Sequence, residues 1–393
     1  MLAIDDNKFK EIWNEVQDYL REDSSYSSGK VVSSMCTTPH PLLEKIFVQN
    51  IKKNLGDPGL FPGAKKIELE LIRQTGSILG NDNNTAGHFL SGGSEANLTA
   101  LWAARNHVRE KLPPSQRHDL EIVLPTTAHT SFEKAADLLS VHAKKIPVDN
   151  NFQVQLDLFS EAITEKTVCA VGIAGTTIIG SVDPIKALGK ICSEKDVWLH
   201  VDGAFGGLVL PILDHLGHTI PAFDFSVPAV QSFTVDPHKM GMVPIPGGMI
   251  LFRDKKLMKN ITFQLPYLYK NFQSTITGTR SGASTVAFYV FLRAFWPDEY
   301  AQIVKTCIEN TILLKQHLER LQFQIPIKPI MNILGAVPPK NCKLDSFNLV
   351  EKARREGWRF SNVENLLRFV IMPHVKKESI RALVDFFERI LDI

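Results

Sequence analysis

The chain has 393 residues, of which 44% are hydrophobic and 22% are charged, and its formal net charge at pH 7 is +2. This length exceeds the usual size of one core, so one large and one small structural unit are expected. The nearly balanced charge excludes the strong field that attracts nucleic acid or an anionic membrane surface. We therefore expect neither nucleic acid nor a membrane as a partner.

The five cysteines are odd in number and widely spread, without the C-x-x-C spacing of zinc or redox sites. This pattern is typical of reduced thiols in the cytosol. No apolar run reaches the roughly 18 residues that a membrane span needs, and the acidic, amphipathic N-terminus lacks a signal-peptide profile. The sequence therefore predicts a cytoplasmic protein.

The first predicted element is an amphipathic helix, because apolar residues recur at steps of three and four between Phe9 and Leu20. From about residue 85, short strand-like runs are mostly separated by helical segments such as SEANLTALWAARNHV. The strand-like runs read, in chain order, GHFLSGG, EIVLP, KKIPV, VCAVGIAG, VWLHVD, VQSFTVD and GGMILF. This alternation predicts an α/β fold with a mainly parallel sheet that helices cover on both faces.

The C-terminal part has a different pattern. Two long helical patterns, at about 297–322 and 376–392, flank short apolar runs such as RFVIM. They predict a smaller α+β unit. We therefore divide the chain into an N-terminal helical segment, 1–50, a large domain, 51–277, and a small C-terminal domain, 278–393.

The segment GGSEAN, which starts at Gly92, follows a strand-like run and opens a predicted helix. Glycines such as Gly93 let the backbone approach an anion closely, and Ser94 offers a hydroxyl and a helix cap. The first helical N–H groups also point toward the ligand. The segment is a candidate phosphate site, although an ordinary serine cap after a glycine turn explains the same residues.

Three further side chains follow strand-like runs, at the sheet edge where parallel α/β proteins bind ligands. Asp202 ends WLHVD, His129 lies between IVLP and a helix, and Lys239 follows SFTVD. Separately, Asp202 has a structural explanation as a turn cap, and His129 has one as a hydrogen-bonded residue. A phosphate site, an imidazole to stack, a carboxylate and a lysine together match the requirements of pyridoxal 5'-phosphate.

The motifs are also similar to those of a known family, the group II pyridoxal-phosphate decarboxylases. The segments that carry the resemblance are SMCTTPHP, NLGDPGLFPG, SGGSEAN, TTAHTSFEKAA, GIAGTT, HVDGAFGG, SFTVDPHKMG, PIP, FQSTITGTRSG and RFVIMPHV. They most resemble archaeal L-tyrosine/L-aspartate decarboxylases, which are associated with methanofuran or coenzyme A biosynthesis. The resemblance covers nearly the whole chain and implies fold type I and a homodimer with shared active sites.

The resemblance also implies roles for individual residues. It makes Lys239 the Schiff-base lysine and Asp202 the partner of the pyridine nitrogen. His129 then stacks on one face of the ring, and Ala204 contacts the other. The remaining residues that the resemblance assigns to cofactor binding are Gly93, Ser94, Thr176, Ser232, His238, Gly278 and Thr279.

Other candidates concern proton transfer and the substrate. Tyr267, in a loop-like stretch after the lysine, is a candidate proton donor, and Arg368 and Arg280 are candidates for substrate binding. To attack as a neutral amine near pH 7, Lys239 needs a pKa roughly three units below 10.4, equivalent to about 4 kcal/mol. We expect burial and nearby cations, His238 or Arg280, to supply that shift.

One residue departs from the family pattern. Members commonly read HVDAAFGG, whereas this chain has Gly203 in place of the first alanine. Glycine adds backbone freedom beside Asp202. We expect this freedom to loosen the pairing of Asp202 with the cofactor.

The activity predicted from the resemblance is decarboxylation of L-tyrosine to tyramine, with L-aspartate to β-alanine as the alternative. Another lyase or an aminotransferase could use the same residues, because the reaction depends on which Cα bond stands perpendicular to the ring. A different class, a divalent-metal enzyme, is a further alternative. Its candidate ligands are His200, Asp202, Asp236 and His238.

Overall fold

The computed structural model describes residues 4–82, 84–266, 272–340 and 342–391. The main strands are β1 (Ala86–Leu90), β2 (Glu121–Pro125), β3 (His142–Ile146), β4 (Thr167–Ile173), β5 (Trp198–Asp202), β6 (Val230–Val235) and β7 (Gly248–Phe252). They form a seven-stranded sheet in the order β1-β7-β6-β5-β4-β2-β3. Neighbours from β3 to β6 pair in parallel, and β7 runs antiparallel to both β6 and β1. The predicted, mostly parallel sheet is therefore confirmed.

Some of the helices in the structure cover the two faces of this sheet. The helices are α1 (Asp6–Leu20), α2 (Pro41–Gln49), α3 (Pro62–Ile78), α4 (Gly93–Lys111), α5 (Ser131–Leu139), α6 (Leu156–Ala162), α7 (Ile185–Glu194), α8 (Gly206–His215), α9 (Gly282–Ala294), α10 (Asp298–Arg320), α11 (Ser346–Arg355) and α12 (Lys377–Leu391). On one face, Val171 and Ile250 pack with Phe132 of α5 and with α4. On the other, Val201 and Phe233 pack with α7, α8 and α9. Burial on both faces explains why the central strand β4 is a nearly continuous apolar run, whereas the edge strand β3, HAKKI, is mostly exposed.

A smaller α+β unit follows, as predicted. After the short pair β8 (Phe263–Gln264) and β9 (Phe272–Gln273), its strands are β10 (Ile333–Ala336), β11 (Ser361–Val363) and β12 (Leu366–Val370). They form an antiparallel sheet in the order β10-β12-β11. Leu318 of α10, Phe369 of β12 and Phe386 of α12 share its buried core.

The packing crosses the predicted domain boundaries in two places. Phe288 and Phe291 of α9 belong to the core beneath the large sheet, although α9 follows residue 278. Val32 belongs to the core of the small unit, and its N–H donates to the carbonyl of Arg359 at 2.8 Å. The boundaries stay predictions, and this packing favours placing α9 with the large unit.

The predicted first helix is present as α1. Asp5 caps it, because its side chain accepts hydrogen bonds from the N–H groups of Asn7 and Lys8. The apolar face of the helix is open to solvent: Trp13 is 51% exposed and Tyr19 is 71% exposed. Within the described ranges, every helix is too short or too polar to cross a membrane.

Candidate active site

A cavity of about 340 Å³ lies at the carboxyl ends of the strands in the large sheet. Parallel strands end at the same edge, so loops that are far apart in sequence meet there. The predicted site residues that line this cavity are Gly93, Ser94, His129, Asp202, Ala204, His238 and Lys239. The structure therefore brings together the phosphate candidate, the imidazole, the carboxylate and the lysine.

Lys239 is paired with a carboxylate. Its Nζ lies 3.0 Å from Oδ2 of Asp236, a side chain that is 3% exposed. Burial disfavours the ammonium, but the charges of Asp236 and Asp202 outweigh burial and raise the pKa of Lys239. The predicted depression of this pKa is therefore wrong for the protein without its cofactor, because nearby acids, not cations, dominate the field.

The two expected cations do not act on this lysine. Burial lowers the pKa of His238, so its imidazole is neutral at pH 7. Arg280 lies outside the cavity lining, and its Nη1 is 2.6 Å from both Oε1 of Glu68 and the carbonyl of Phe89. Burial opposes the charge of Glu68, but Arg280 and Lys65 outweigh it and lower the pKa of Glu68 to about 2. Arg280 therefore anchors its own loop through a buried ion pair.

Asp202 ends β5 with both carboxylate oxygens hydrogen-bonded. Oδ1 accepts from the N–H of Ala204 at 3.0 Å, and Oδ2 accepts from Nδ2 of Asn97 at 2.9 Å. The side chain is both a turn cap and a group that lines the cavity, so the two interpretations of this aspartate are compatible. Asn97 was missed as a site residue, although it belongs to the GGSEAN segment.

The candidate phosphate site is the start of α4. The N-cap is Gly92, not Ser94 as predicted, and Glu95 reaches back to accept from the N–H and hydroxyl of Ser91 at 2.9 and 2.7 Å. A Cβ on Gly93 would lie 2.7 Å from Oδ2 of Asp236. Glycine is therefore needed for the close approach of the helix to the cavity wall, and the first N–H groups of α4 lie at the cavity.

Several polar atoms in the cavity wall lack a partner. Within the part of the chain that the structure describes, Oγ1 of Thr127, Oδ1 of Asp236 and Nδ1 of His238 make no hydrogen bond. An unpaired buried polar group costs about 1–3 kcal/mol, so a bound polar ligand would stabilise these atoms. Their position beside a helix N-terminus and a lysine fits pyridoxal 5'-phosphate, which carries a phosphate, a hydroxyl and an aldehyde.

The metal alternative is wrong. Across the described residues, no group of three or more His, Cys, Asp or Glu side chains could hold a metal ion. Nδ1 and Nε2 of His200 are 2.9 Å from Oγ of Ser232 and 3.2 Å from Oδ1 of Asn97, so neither nitrogen is free to bind one.

Some predicted cofactor residues lie outside the cavity lining. Ser232 is buried on β6, where its Oγ accepts from Nε1 of Trp198 at 2.9 Å. Thr176 is fully buried and bonds to Oγ of Ser181 at 2.8 Å. Gly278 and Thr279 lie on an exposed loop. The structure of this chain does not bring these four residues into contact with the cavity.

The substrate candidates differ in their surroundings. Arg368 lies behind the cavity wall, where Nη1 donates to the carbonyl of Ser33 at 2.8 Å and Nε donates to the carbonyl of Thr177. Its Nη2 is buried and has no partner among the described residues. Burial lowers the pKa of Arg368 to about 10, so the guanidinium remains charged at neutral pH. Tyr267 lies outside the described residues.

Gly203 is explained by packing. A Cβ at this position would lie 2.2 Å from Cε1 and 2.3 Å from Cζ of Phe233. Phe233 is fully buried on β6 and contributes to the core beneath the sheet. Glycine at 203 therefore accommodates the phenyl ring of Phe233. It does not leave the carboxylate of Asp202 loose, because two hydrogen bonds hold that carboxylate.

We expect Gly203→Ala to destabilise the protein by about 1–3 kcal/mol, because the new methyl group overpacks a closed core. In Phe233→Val the ring is absent, so adding Gly203→Ala to that variant should cost much less. Urea unfolding of the four proteins measures this coupling. Gly63→Ala is the control, since a Cβ there meets nothing within 4 Å. Additive effects of the two substitutions would contradict the packing explanation.

Comparisons with known proteins agree with this site. The family model of the pyridoxal-dependent decarboxylase conserved domain matches residues 3–335. The probable L-tyrosine/L-aspartate decarboxylase of Methanothermobacter thermautotrophicus is 38% identical over 368 residues, 93% of this chain and 98% of that protein. The L-aspartate decarboxylase of Thermococcus kodakarensis is 41% identical over 372 residues, 94% of each chain.

Solved structures share the fold. The sphingosine-1-phosphate lyase of Burkholderia pseudomallei superimposes with a TM-score of 0.88 at 26% identity, covering 100% of this chain and 91% of that one. A matching family model over most of the chain, relatives of full length and a common fold lead to one assignment. The chain belongs to the pyridoxal-dependent decarboxylase family.

Proposed function

We propose that this pyridoxal-phosphate-dependent amino-acid decarboxylase acts on L-aspartate and releases β-alanine and CO₂, with L-tyrosine as the second candidate. The observation that carries the proposal is the similarity to two full-length relatives whose names both include L-aspartate, while only one also includes L-tyrosine. The order of the two substrates is thus the reverse of the one predicted from the resemblance.

Pyridoxal 5'-phosphate, when bound, supplies an aldehyde for attachment of amines and a ring that accepts the electron pair left when CO₂ departs. We assign the attachment to Nζ of Lys239. Because this amine is protonated beside Asp236, it must lose a proton before it attacks. Asp236, at 3.0 Å, is the carboxylate placed to receive that proton.

The remaining side chains bind and orient. In this proposal, Gly93, Ser94 and His238 hold the phosphate at the start of α4, where unpaired N–H groups favour an anion. His129 and Ala204, which both line the cavity, would contact the ring. Asp202 keeps the pyridine nitrogen protonated, because a carboxylate stabilises a neighbouring cation.

Arg368 is our candidate for binding a carboxylate of the substrate. Its unpartnered Nη2 is a charged donor, and its Nε donates to the carbonyl of Thr177, a residue that lines the cavity. Arginine suits this task, since its planar fork matches a carboxylate. Arg280 is a weaker candidate, because its charge is already satisfied by Glu68.

We also propose a homodimer with shared sites. Gly278 and Thr279 lie on an exposed loop, and α1 presents Trp13 and Tyr19 to solvent, so both segments are available to a second copy. In a dimer, the loop would contribute to the partner's cavity. The cytoplasmic location and a role in coenzyme A or methanofuran biosynthesis stay predictions.

The substrate proposal predicts the outcome of a CO₂-release assay with a panel of L-amino acids. L-Aspartate should have a kcat/KM at least about 100-fold above that of L-tyrosine. The reason is that a site that pairs the side-chain carboxylate of aspartate rejects a substrate whose side chain is uncharged. Mass analysis should identify β-alanine as the product. Faster formation of tyramine would overturn the choice of substrate, and a keto acid product would overturn decarboxylation.

A further inference from the structure

A group of buried polar side chains lies behind Asp202, between the sheet and α4. Asn97 of α4 donates from Nδ2 to Oδ2 of Asp202 at 2.9 Å and to Oγ of Ser131 at 3.0 Å. Its Oδ1 is 2.7 Å from Oγ1 of Thr234 and 3.2 Å from Nε2 of His200. The amide therefore uses all four of its hydrogen-bonding positions, which fixes its orientation.

The strand register explains why these groups meet. Alternation along β5 places His200 and Asp202 on one face of the sheet. On β6, Ser232 pairs with His200 and Thr234 pairs with Asp202. Asn97 is 1% exposed and lies on the helix that covers this face. The sequence thus builds a polar contact in a layer that is otherwise apolar.

The two ends of the group determine the direction of every hydrogen bond. Nε1 of Trp198 is only a donor, so Oγ of Ser232 accepts a hydrogen bond from it at 2.9 Å. The hydroxyl hydrogen of Ser232 is then free to bond to Nδ1 of His200. Nε2 of His200 then carries the ring hydrogen and donates to Oδ1 of Asn97. At the other end, the carboxylate of Asp202 is only an acceptor, so Nδ2 of Asn97 must face it.

The charge state of His200 agrees with this direction. Burial lowers the pKa of His200 to about 4, although Asp202 opposes this shift. A neutral ring with its hydrogen on Nε2 accepts at Nδ1 and donates at Nε2, as the bonds from Ser232 and to Asn97 require. The group is therefore satisfied throughout and has one arrangement.

We propose that Asn97, supported by His200 and Ser232, is a positioning residue that holds the Asp202 carboxylate in the single orientation in which it serves the cofactor ring. This inference rests on the role proposed above for Asp202. It gives Ser232 an indirect role in cofactor binding, through His200 and Asn97. It also explains why Asn97, His200 and Ser232 occupy the layer between the sheet and α4. Apolar residues would pack there without the cost of burying polar groups.

The test combines substitutions at 97 and 202. Asn97→Leu keeps the approximate volume and removes both donors, and should lower kcat by about 10–100-fold, the loss expected when one hydrogen bond to a charged group is removed. The visible spectrum of the bound cofactor, recorded against pH, should shift toward that of Asp202→Ala. In the Asp202→Ala background, adding Asn97→Leu should change neither kcat nor the spectrum, because the residue acts through the carboxylate.

Asn97→Asp gives a second readout and carries the test if leucine at 97 prevents folding. A carboxyl at 97 can donate to Asp202 only while it is protonated, and a carboxylate neighbour raises its pKa. The spectrum and kcat of this variant should therefore approach those of the unaltered protein as the pH falls. Asn310→Leu is the matched control, since Asn310 is 2% exposed on α10 and donates to the carbonyl of Val375 at 3.1 Å.

Two results would overturn this inference alone. One is an unshifted spectrum and normal kcat in both Asn97 variants while Asp202→Ala is impaired, which would leave the role of Asp202 intact. The other is a further loss from Asn97→Leu in the Asp202→Ala background, which would indicate a structural role only. Normal turnover of Asp202→Ala itself would remove the proposed role of the carboxylate and the inference with it.

Discussion

Lys239→Ala is expected to abolish the visible absorbance of the bound cofactor and to lower CO₂ release by at least about 10⁴-fold, the size of effect seen when a nucleophile is removed. The reason is that Nζ of Lys239 is an amine in the cavity lining, close to the carboxylates of Asp236 and Asp202. Absorbance spectra of the purified variant supplied with pyridoxal 5'-phosphate, with activity measured in parallel, check this result.

Lys239→Arg separates the chemistry of the lysine from its charge. Alanine leaves Asp236 buried without its cation, which by itself destabilises the protein. Arginine keeps a cation beside Asp236 but remains protonated, so it cannot attack the aldehyde. We expect both variants to lose the visible band, and the arginine variant to retain more of the thermal stability. An undiminished band in either variant would refute the assignment of Lys239.

The strands and the residues at their ends were predictable because both depend on local sequence. Most of the seven runs are apolar, and parallel strands end at one edge of the sheet. Asp202, His129 and Lys239 lie at the ends of three such runs, so their place at one edge was predictable. That they meet in one cavity also requires β2, β5 and β6 to lie near one another in the strand order. The start of α4 was found for the same reason, although the capping residue was misassigned.

The electrostatics of the site were not predictable, because they depend on which charged side chains meet in the folded chain. Asp236 is only three residues before Lys239, yet whether the two side chains meet depends on the turn between them. The ion pair that occupies Arg280 comes from Glu68, 212 positions earlier. The expectation that burial and nearby cations act on the lysine therefore gave the wrong sign for the shift of its pKa.

Packing partners were hidden for the same reason. Asn97 and Asp202 are 105 positions apart, and the bond between them depends on how α4 lies on β5. The phenyl ring of Phe233 enters the space that a methyl group on Gly203 would occupy, which sequence alone presents as two unrelated residues. The packing of α9 against the large core was also hidden, because a helical pattern does not reveal which sheet the helix covers.

Asp202→Ala should retain the cofactor while turnover falls by about 10³-fold or more, because the attachment at Lys239 and the phosphate site are untouched but the ring loses its charged partner. Asp202→Asn should be similarly impaired, since it keeps the volume and loses the negative charge. Stopped-flow measurement of CO₂ release, with cofactor content determined by absorbance, checks both variants.

A matched aspartate tests whether Asp202 is only a turn cap. Asp224 accepts the N–H of Ser226 at 2.9 Å, as Asp202 accepts the N–H of Ala204, but it lies outside the cavity lining. Asp224→Ala should therefore lower stability by about 1 kcal/mol and leave turnover unchanged. If Asp202→Ala behaved in the same way, the carboxylate would have no part in catalysis, and the electrons left by CO₂ would have to be stabilised without a protonated ring nitrogen.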